Sequence, residues 1–123
     1  MSETMSVEQL LQLITSHAGQ VRFDQVMAVI DSHYDYRPAA FSNGCGDDML
    51  HNQAGSNEGS CKIFAFARLN QLDPAQTLAC FGDYYRRDVL ASPDGSDHAN
   101  IRRFMRDGWA GIRFEQFPLT AKS

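Results

Sequence analysis

From Ser6 onward the apolar positions fall at Leu10, Leu11 and Ile14, the three- and four-residue spacing of one helix face. Ser6, with Gln9 three residues later, spells a capping box at the start of that helix, and Gly19 marks its end. Phe23, Val26, Met27 and Ile30 repeat the spacing, so a second helix is predicted over residues 22–33, antiparallel to the first across a short link. The pattern then changes. In "YDYRPAAF" aromatic residues alternate ahead of a proline, which suits an edge strand. From Ser42 to Gly59 the chain carries four glycines, three asparagines and little periodicity. A long irregular loop is predicted there, and such loops are disproportionately functional.

"CKIFAFARL" is apolar at every position except Lys62 and Arg68, so it is central to the core; its alanines and its continuation to Leu72 favour a helix. "LDPAQT" is a second start signal, with Asp73 as cap, Pro74 in the first turn and Gln76 completing the box. Leu78, Phe81, Tyr85 and Val89 then make one stripe of a single helix reaching about Leu90. Gly82 inside it predicts close backbone contact with a neighbour. "SPDGSD" is a turn, after which Ser96 or Asp97 caps a helix containing Ile101, Phe104 and Met105, ended by Gly108. Arg102, Arg103 and Arg106 fall toward its C-terminus, where positive charge complements the dipole. "WAGIRFEQF" alternates at Ile112 and Phe114 and reads as a strand that pairs with the one near Tyr36. The expected fold is one α+β domain over residues 1–123, helix-rich with about five helices and a small antiparallel sheet.

Composition narrows the partners. Fifteen acidic against eleven basic residues leave a formal charge of −4, which lacks the footprint of a nucleic-acid binder. No apolar run approaches the roughly 20 residues of a membrane span, and no cationic start precedes a long apolar stretch. Three cysteines, Cys45, Cys61 and Cys80, show none of the paired spacings of zinc or redox motifs, so free thiols in a reducing cytoplasm are expected.

Longer spellings carry more. "FSNG" at Phe41–Gly44, "AGSNEGSCKIFAFARLNQL" from Ala54, "TLACFGDYYRRDVLASPDGSDHANIRRFM" from Thr77 and "GWAGIRF" from Gly108 closely resemble the HopJ type III effector family over about residues 41–114. The resemblance implies a bacterial protein, delivered into plant cells by a type III secretion machine without a cleavable signal peptide. It brings no catalytic residues with it. Residues 7–18, by contrast, read as a capped helix, which suits a role inside the bacterium.

Cys61 opens the apolar helix of "NEGSCK". With Asn57 or Ser60 as cap, its sulfur sits in the first turn, where the helix dipole lowers a thiol pKa. The alternative is a small buried hydrophobe. His98 is the best partner among four histidines, because Ile101 and Met105 follow three and seven residues later and turn its ring inward. It reads as a general base or as a core histidine bonded to a backbone carbonyl. His17 and His33 close helices, and His51 lies in the loop. A metal site would gather His51, Glu58 and His98 with Asp47 or Asp48, but the spacing matches no metal signature, so neither metal nor cofactor is expected. Tyr84 to Asp88 form a polar-aromatic run suited to a pocket wall or a partner surface, with core and solvent positions as the alternative.

The leading expectation is a HopJ-like protein of undefined activity that binds an unknown small molecule. The 43–59 loop and the helix starts at Cys61 and His98 frame its pocket, with Asn43, Asn57, Glu58, Ser60 and His98 as ligand-binding residues. Such a pocket suits an anionic or carbonyl ligand. The rival is a cysteine-dependent hydrolase or acyl transferase, in which Cys61 attacks, His98 takes the proton and Asp97 or Asn57 orients the imidazole. A third expectation is a secreted effector that binds a host protein.

Overall fold

The computed structural model describes residues 5–122. Helices α1 (Val7–Ser16) and α2 (Phe23–His33) begin the chain, joined by a short 3-10 turn at Ala18–Gln20. Ser6 caps α1 as spelled: its hydroxyl accepts from Gln9 N, and the Gln9 amide oxygen accepts from Ser6 N. Strands β1 (Tyr34–Tyr36), β2 (Phe41–Asn43) and β3 (Leu50–Asn52) follow. Next come α3 (Glu58–Leu69), α4 (Pro74–Ala79), a π-helix at Tyr84–Val89, and α5 (Ala99–Asp107). A 3-10 turn at Gly108–Gly111 leads to β4 (Arg113–Phe114) and β5 (Leu119–Ala121).

The α+β class holds, but the strand pairing differs from the expectation. The strand at Phe114 pairs with β2, with Phe41 opposite Phe114, and completes a β3-β2-β4 sheet. β1 instead takes β5, with Tyr36 opposite Leu119. Two small antiparallel sheets therefore replace one. Alternation announced β1 and β4, whereas β2, β3 and β5, three residues each, are too short for it to do so. For the same reason the 42–59 segment is not one irregular loop: it folds as the β2–β3 hairpin and the entry to α3.

α3 is the axis of the core. Ile63, Phe64, Ala65, Phe66 and Ala67 are all fully buried, which is why its sequence is apolar on every face. Phe64 meets the rings of Phe41, Phe81, Phe104 and Trp109 at centroid distances between 5.0 and 6.4 Å. Each of these rings comes from a different element, so α3 cannot shift without disturbing the sheet, the Gly82 turn and α5 together.

The single helix expected from Asp73 to Leu90 is broken. α4 stops at Ala79, and the chain turns through Gly82, whose φ of +61° is left-handed. A β-carbon there would lie 2.7 Å from the backbone nitrogen of Phe23, so the predicted close approach is real and only glycine fits it. Beyond the turn the chain winds as a π-helix, while Leu78, Phe81 and Val89 of the expected stripe stay buried. A second backbone contact joins two of the spelled motifs. Gly44 N donates to Gly111 O at 3.0 Å, and a β-carbon on Gly111 would come within 2.6 Å of Gly44 N.

Among the described residues, no helix is long and apolar enough to cross a membrane.

Candidate functional site

α3 and α5 start unlike α1 and α4. Asn57 and His98 hold the N-cap positions, both with φ of 52° in the left-handed region and neither with a side-chain cap bond. This corrects the expectation that Asn57 or Ser60 caps α3 and that Ser96 or Asp97 caps α5. A left-handed residue immediately before each helix swings its side chain away from the first-turn amides, so it cannot reach back as a cap. Left-handed geometry costs a non-glycine residue about 1–2 kcal/mol, and such strain gathers at functional sites. The first bonds in each helix are Cys61 N to Asn57 O and Ile101 N to His98 O, both 3.0 Å. The amides of Glu58 to Ser60, and of Ala99 and Asn100, therefore have no acceptor within their own helix.

The two starts are held by buried amides. Asn43 Nδ2 donates to the backbone oxygen and to Oδ1 of Asn100, at 2.9 and 3.0 Å. Asn52 Nδ2 donates to Asn100 Oδ1 at 3.1 Å, and Asn100 Nδ2 returns a bond to Asn52 Oδ1 at 3.0 Å. Asn57 Nδ2 donates to the same Asn52 oxygen at 2.7 Å. Asn43, Asn52 and Asn100 are buried polar side chains. A network of this kind rigidifies when its members are paired, and here it ties both helix starts to the β2–β3 hairpin. Among the described residues Asn43 Oδ1 is buried with no partner, a cost the fold carries at this junction.

Between the starts lies a cavity of about 480 Å³, inside the roughly 300–1,000 Å³ range of small-molecule sites. Asn57, Ser60, His98 and Asn100 give it polar groups, and Phe23, Phe81 and Tyr84 give it aromatic walls. His98 does not face the core as expected. Its side chain is 29% exposed, its ring packs 5.2 Å from that of Tyr84, and Nε2 lies 3.1 Å from Asp88 Oδ2. Asp97, the expected orienting residue, is farther at 3.8 Å and is bonded through Oδ1 to Arg102 at 2.6 Å. Arg102 correspondingly closes the 92–97 turn instead of sitting at the helix end, donating to Ser92 O and Asp97 O. The π-helix supplies both contacts to His98, Tyr84 and Asp88, in keeping with the habit of π-segments to mark functional sites.

Cys61 stands apart from this. It is 1% exposed, lines no described cavity, and donates through Sγ to Ala39 O at 3.8 Å. Burial pushes its thiol up to about 11. The Cys61–His98 contact that the enzyme expectation requires is absent among the described hydrogen bonds and ion pairs. Two of the expected ligand residues also lie elsewhere. Asn43 acts through Asn100 without reaching the cavity, and Glu58, exposed at the first position of α3, sits beside Tyr36. Asp48 is bound by Arg103 and Arg106 at 2.7 and 2.6 Å, and among the described residues no cluster of histidine, cysteine or carboxylate side chains could hold a metal ion. Sequence reasoning had Tyr84 and Asp88 in the polar-aromatic run suited to a pocket wall but paired neither with His98, and it missed Asn52 and Asn100. Asn100 carried one signal, asparagine recurring in the spelled motifs at positions 43, 57 and 100; Asn52 lies outside those motifs, and nothing in the sequence pairs Asp88 with a histidine ten residues away.

The comparisons with known proteins agree with that reading of the motifs. No curated protein matches the chain. A crystal structure described as unknown function protein VPA0580 is 50% identical, with a TM-score of 0.92 over 99% of this chain and 98% of that one. The family model described as HopJ type III effector protein matches residues 7–119, beyond the 41–114 span of the spelled motifs. The chain belongs to the HopJ type III effector protein family.

Proposed function

We propose that this HopJ-family protein is a binding module that takes a small polar ligand in the cavity between the starts of α3 and α5. One observation carries the reading: two strained, uncapped helix starts are pinned by a buried amide network around a cavity walled on one side by aromatic rings. Preorganised polar groups beside apolar walls are how small-ligand sites gain affinity and orientation. Fragment soaking of crystals tests it. Fragments are expected to cluster between Ser60, Tyr84 and Asn100; occupancy confined to other surfaces would overturn the reading.

A second reading follows from the Asp88–His98 contact, which resembles the base and orienting acid of an acid–base site. In that form the enzyme depends on His98 and not on Cys61. Any turnover found should vanish in His98→Ala and survive in Cys61→Ala; the reverse pattern would restore the cysteine. Delivery into a host and a host-protein partner rest on the family description alone, and loss of translocation on removing residues 1–20, with folding intact, would support them.

A further inference from the structure

Resting on the binding reading above, we infer that the cavity's ligand is an uncharged, hydroxyl-rich molecule with one apolar face, of the chemistry of a pyranoside ring. The cavity lining contains no lysine, arginine, aspartate or glutamate. Its only histidine already has Nε2 on Asp88, with Asp97 close behind. The positive helix ends would attract an anionic ligand, but it would find no lysine or arginine in the lining to pair with, and two carboxylates beside the ring at the rim. A cationic one would meet the positive ends of two helices with no carboxylate in the lining to neutralise it. A neutral ligand meets neither penalty, which departs from the anionic ligand expected from sequence.

The hydrogen-bonding capacity points the same way. Within the network Asn100 has both lone pairs of Oδ1 taken, by Asn43 and Asn52, and one of its two amide hydrogens spent on Asn52. One donor is left. Asn57 spends one hydrogen on Asn52, leaving its second hydrogen and its side-chain oxygen. Ser60 adds a hydroxyl that donates and accepts. The site thus offers donors and acceptors side by side, with the two amides held in place by the network. A carboxylate only accepts, so it would set its charge against the Asn57 oxygen; a hydroxyl donates to one group and accepts from the next. Tyr84 supplies the apolar partner. It is 44% exposed, with Phe23 edge-on at 5.0 Å and His98 at 5.2 Å fixing its ring. The C–H face of a sugar, slightly positive, stacks on the negative face of such a ring. Charged side chains gather past the Phe23–Tyr84 pair, where Arg22, Asp24 and Asp83 line a separate cavity of about 390 Å³.

Titration of the full chain, followed in 1H–15N spectra at Gly59, Ser60, Ala99 and Asn100, tests the inference. The probes are methyl glucoside, galactoside and mannoside, with glucuronate and glucosamine as charged matches and benzoate and benzamide as non-sugar fragments. At least one neutral glycoside is expected to saturate those amides in the millimolar range, ahead of both charged sugars. Tyr84→Ala should weaken it about five-fold or more, the size of a lost aromatic contact, while Tyr84→Phe keeps it. Tighter binding of a charged sugar or of a fragment at these amides, or a glycoside indifferent to Tyr84→Ala, overturns the neutral-sugar inference and leaves the binding reading standing. If no probe of any class moves these amides, both fall.

Discussion

Four of the five α-helix starts among the described residues, those of α1, α3, α4 and α5, divide into two kinds. At α1 and α4 the cap is local: Ser6 with Gln9 and Asp73 with Gln76 close their own first turns, at distances between 2.8 and 3.0 Å. At α3 and α5 the N-cap residues are left-handed, no side chain caps the turn, and the positions are held by asparagines up to 57 residues distant in sequence. The first kind stabilises a helix and does nothing else. The second leaves first-turn amides without a side-chain cap beside a cavity and hands the holding of both starts to a buried network, an arrangement that suits the proposed binding site.

Breaking the network should give the largest effect. Asn52→Ala removes the oxygen shared by Asn57 and Asn100 and orphans buried amides, so a loss of about 3 kcal/mol is expected in urea unfolding; a loss within the range of a surface change would mean that the starts are held by packing alone. The local caps come next. Ser6→Ala and Asp73→Ala should each cost about 1 kcal/mol in the same measurement. His98→Gly should behave differently: it removes no cap, and relief of left-handed strain worth about 1 kcal/mol offsets the lost Asp88 and Tyr84 contacts, so stability changes little while ligand binding falls. If His98→Gly destabilises as Ser6→Ala does, the two kinds of start are one kind.

Smaller effects sharpen the contrast between the dry core and the open starts. Cys61 lies only four residues after the left-handed Asn57, yet its thiol, pushed up to about 11, should resist alkylation at pH 8 while exposed Cys45 reacts. Peptide mapping after a short iodoacetamide pulse reads both. Fast labelling of Cys61, slowed by His98→Ala, would return the thiol to the functional site. The smallest change concerns the far end of α5, where Arg103 and Arg106 strap Asp48, and Arg106 and Cys45 N hold Asp107. Hydrogen bonds from Arg106 hold both carboxyls below the usual range. Their contribution is therefore complete above the ordinary carboxylate value near 3.8 and is lost as pH falls below it. Asp48→Asn should flatten that acid limb of the melting curve slightly, since these exposed ion pairs are screened.

Much of this was legible in the chain and some was not, for physical reasons. Capping boxes are written within four residues, so α1 and α4 could be placed by reading, and an all-apolar α3 declares its own burial. The region of the site was also legible, through glycines, asparagines and two helix starts. Its construction was not. Whether a cap residue is left-handed depends on what the chain must reach, and Asn57 reaches Asn52 in a strand too short to announce itself. Nor does composition reveal that Gly82 breaks a helix: its left-handed turn lies so close to the backbone of Phe23 that a β-carbon would not fit. Asp88 meets His98 from the π-helix beyond that turn, a winding the sequence does not spell.

The most direct test is a 1H–15N map of the full chain on titration with methyl glucoside, methyl galactoside and methyl mannoside, scored by position. Perturbations centred on Gly59, Ser60, Ala99 and Asn100, with the starts at Val7 and Ala75 silent, are expected. Perturbations centred on the locally capped starts, or spread without preference over both kinds, would contradict the claim that the uncapped pair is the binding site.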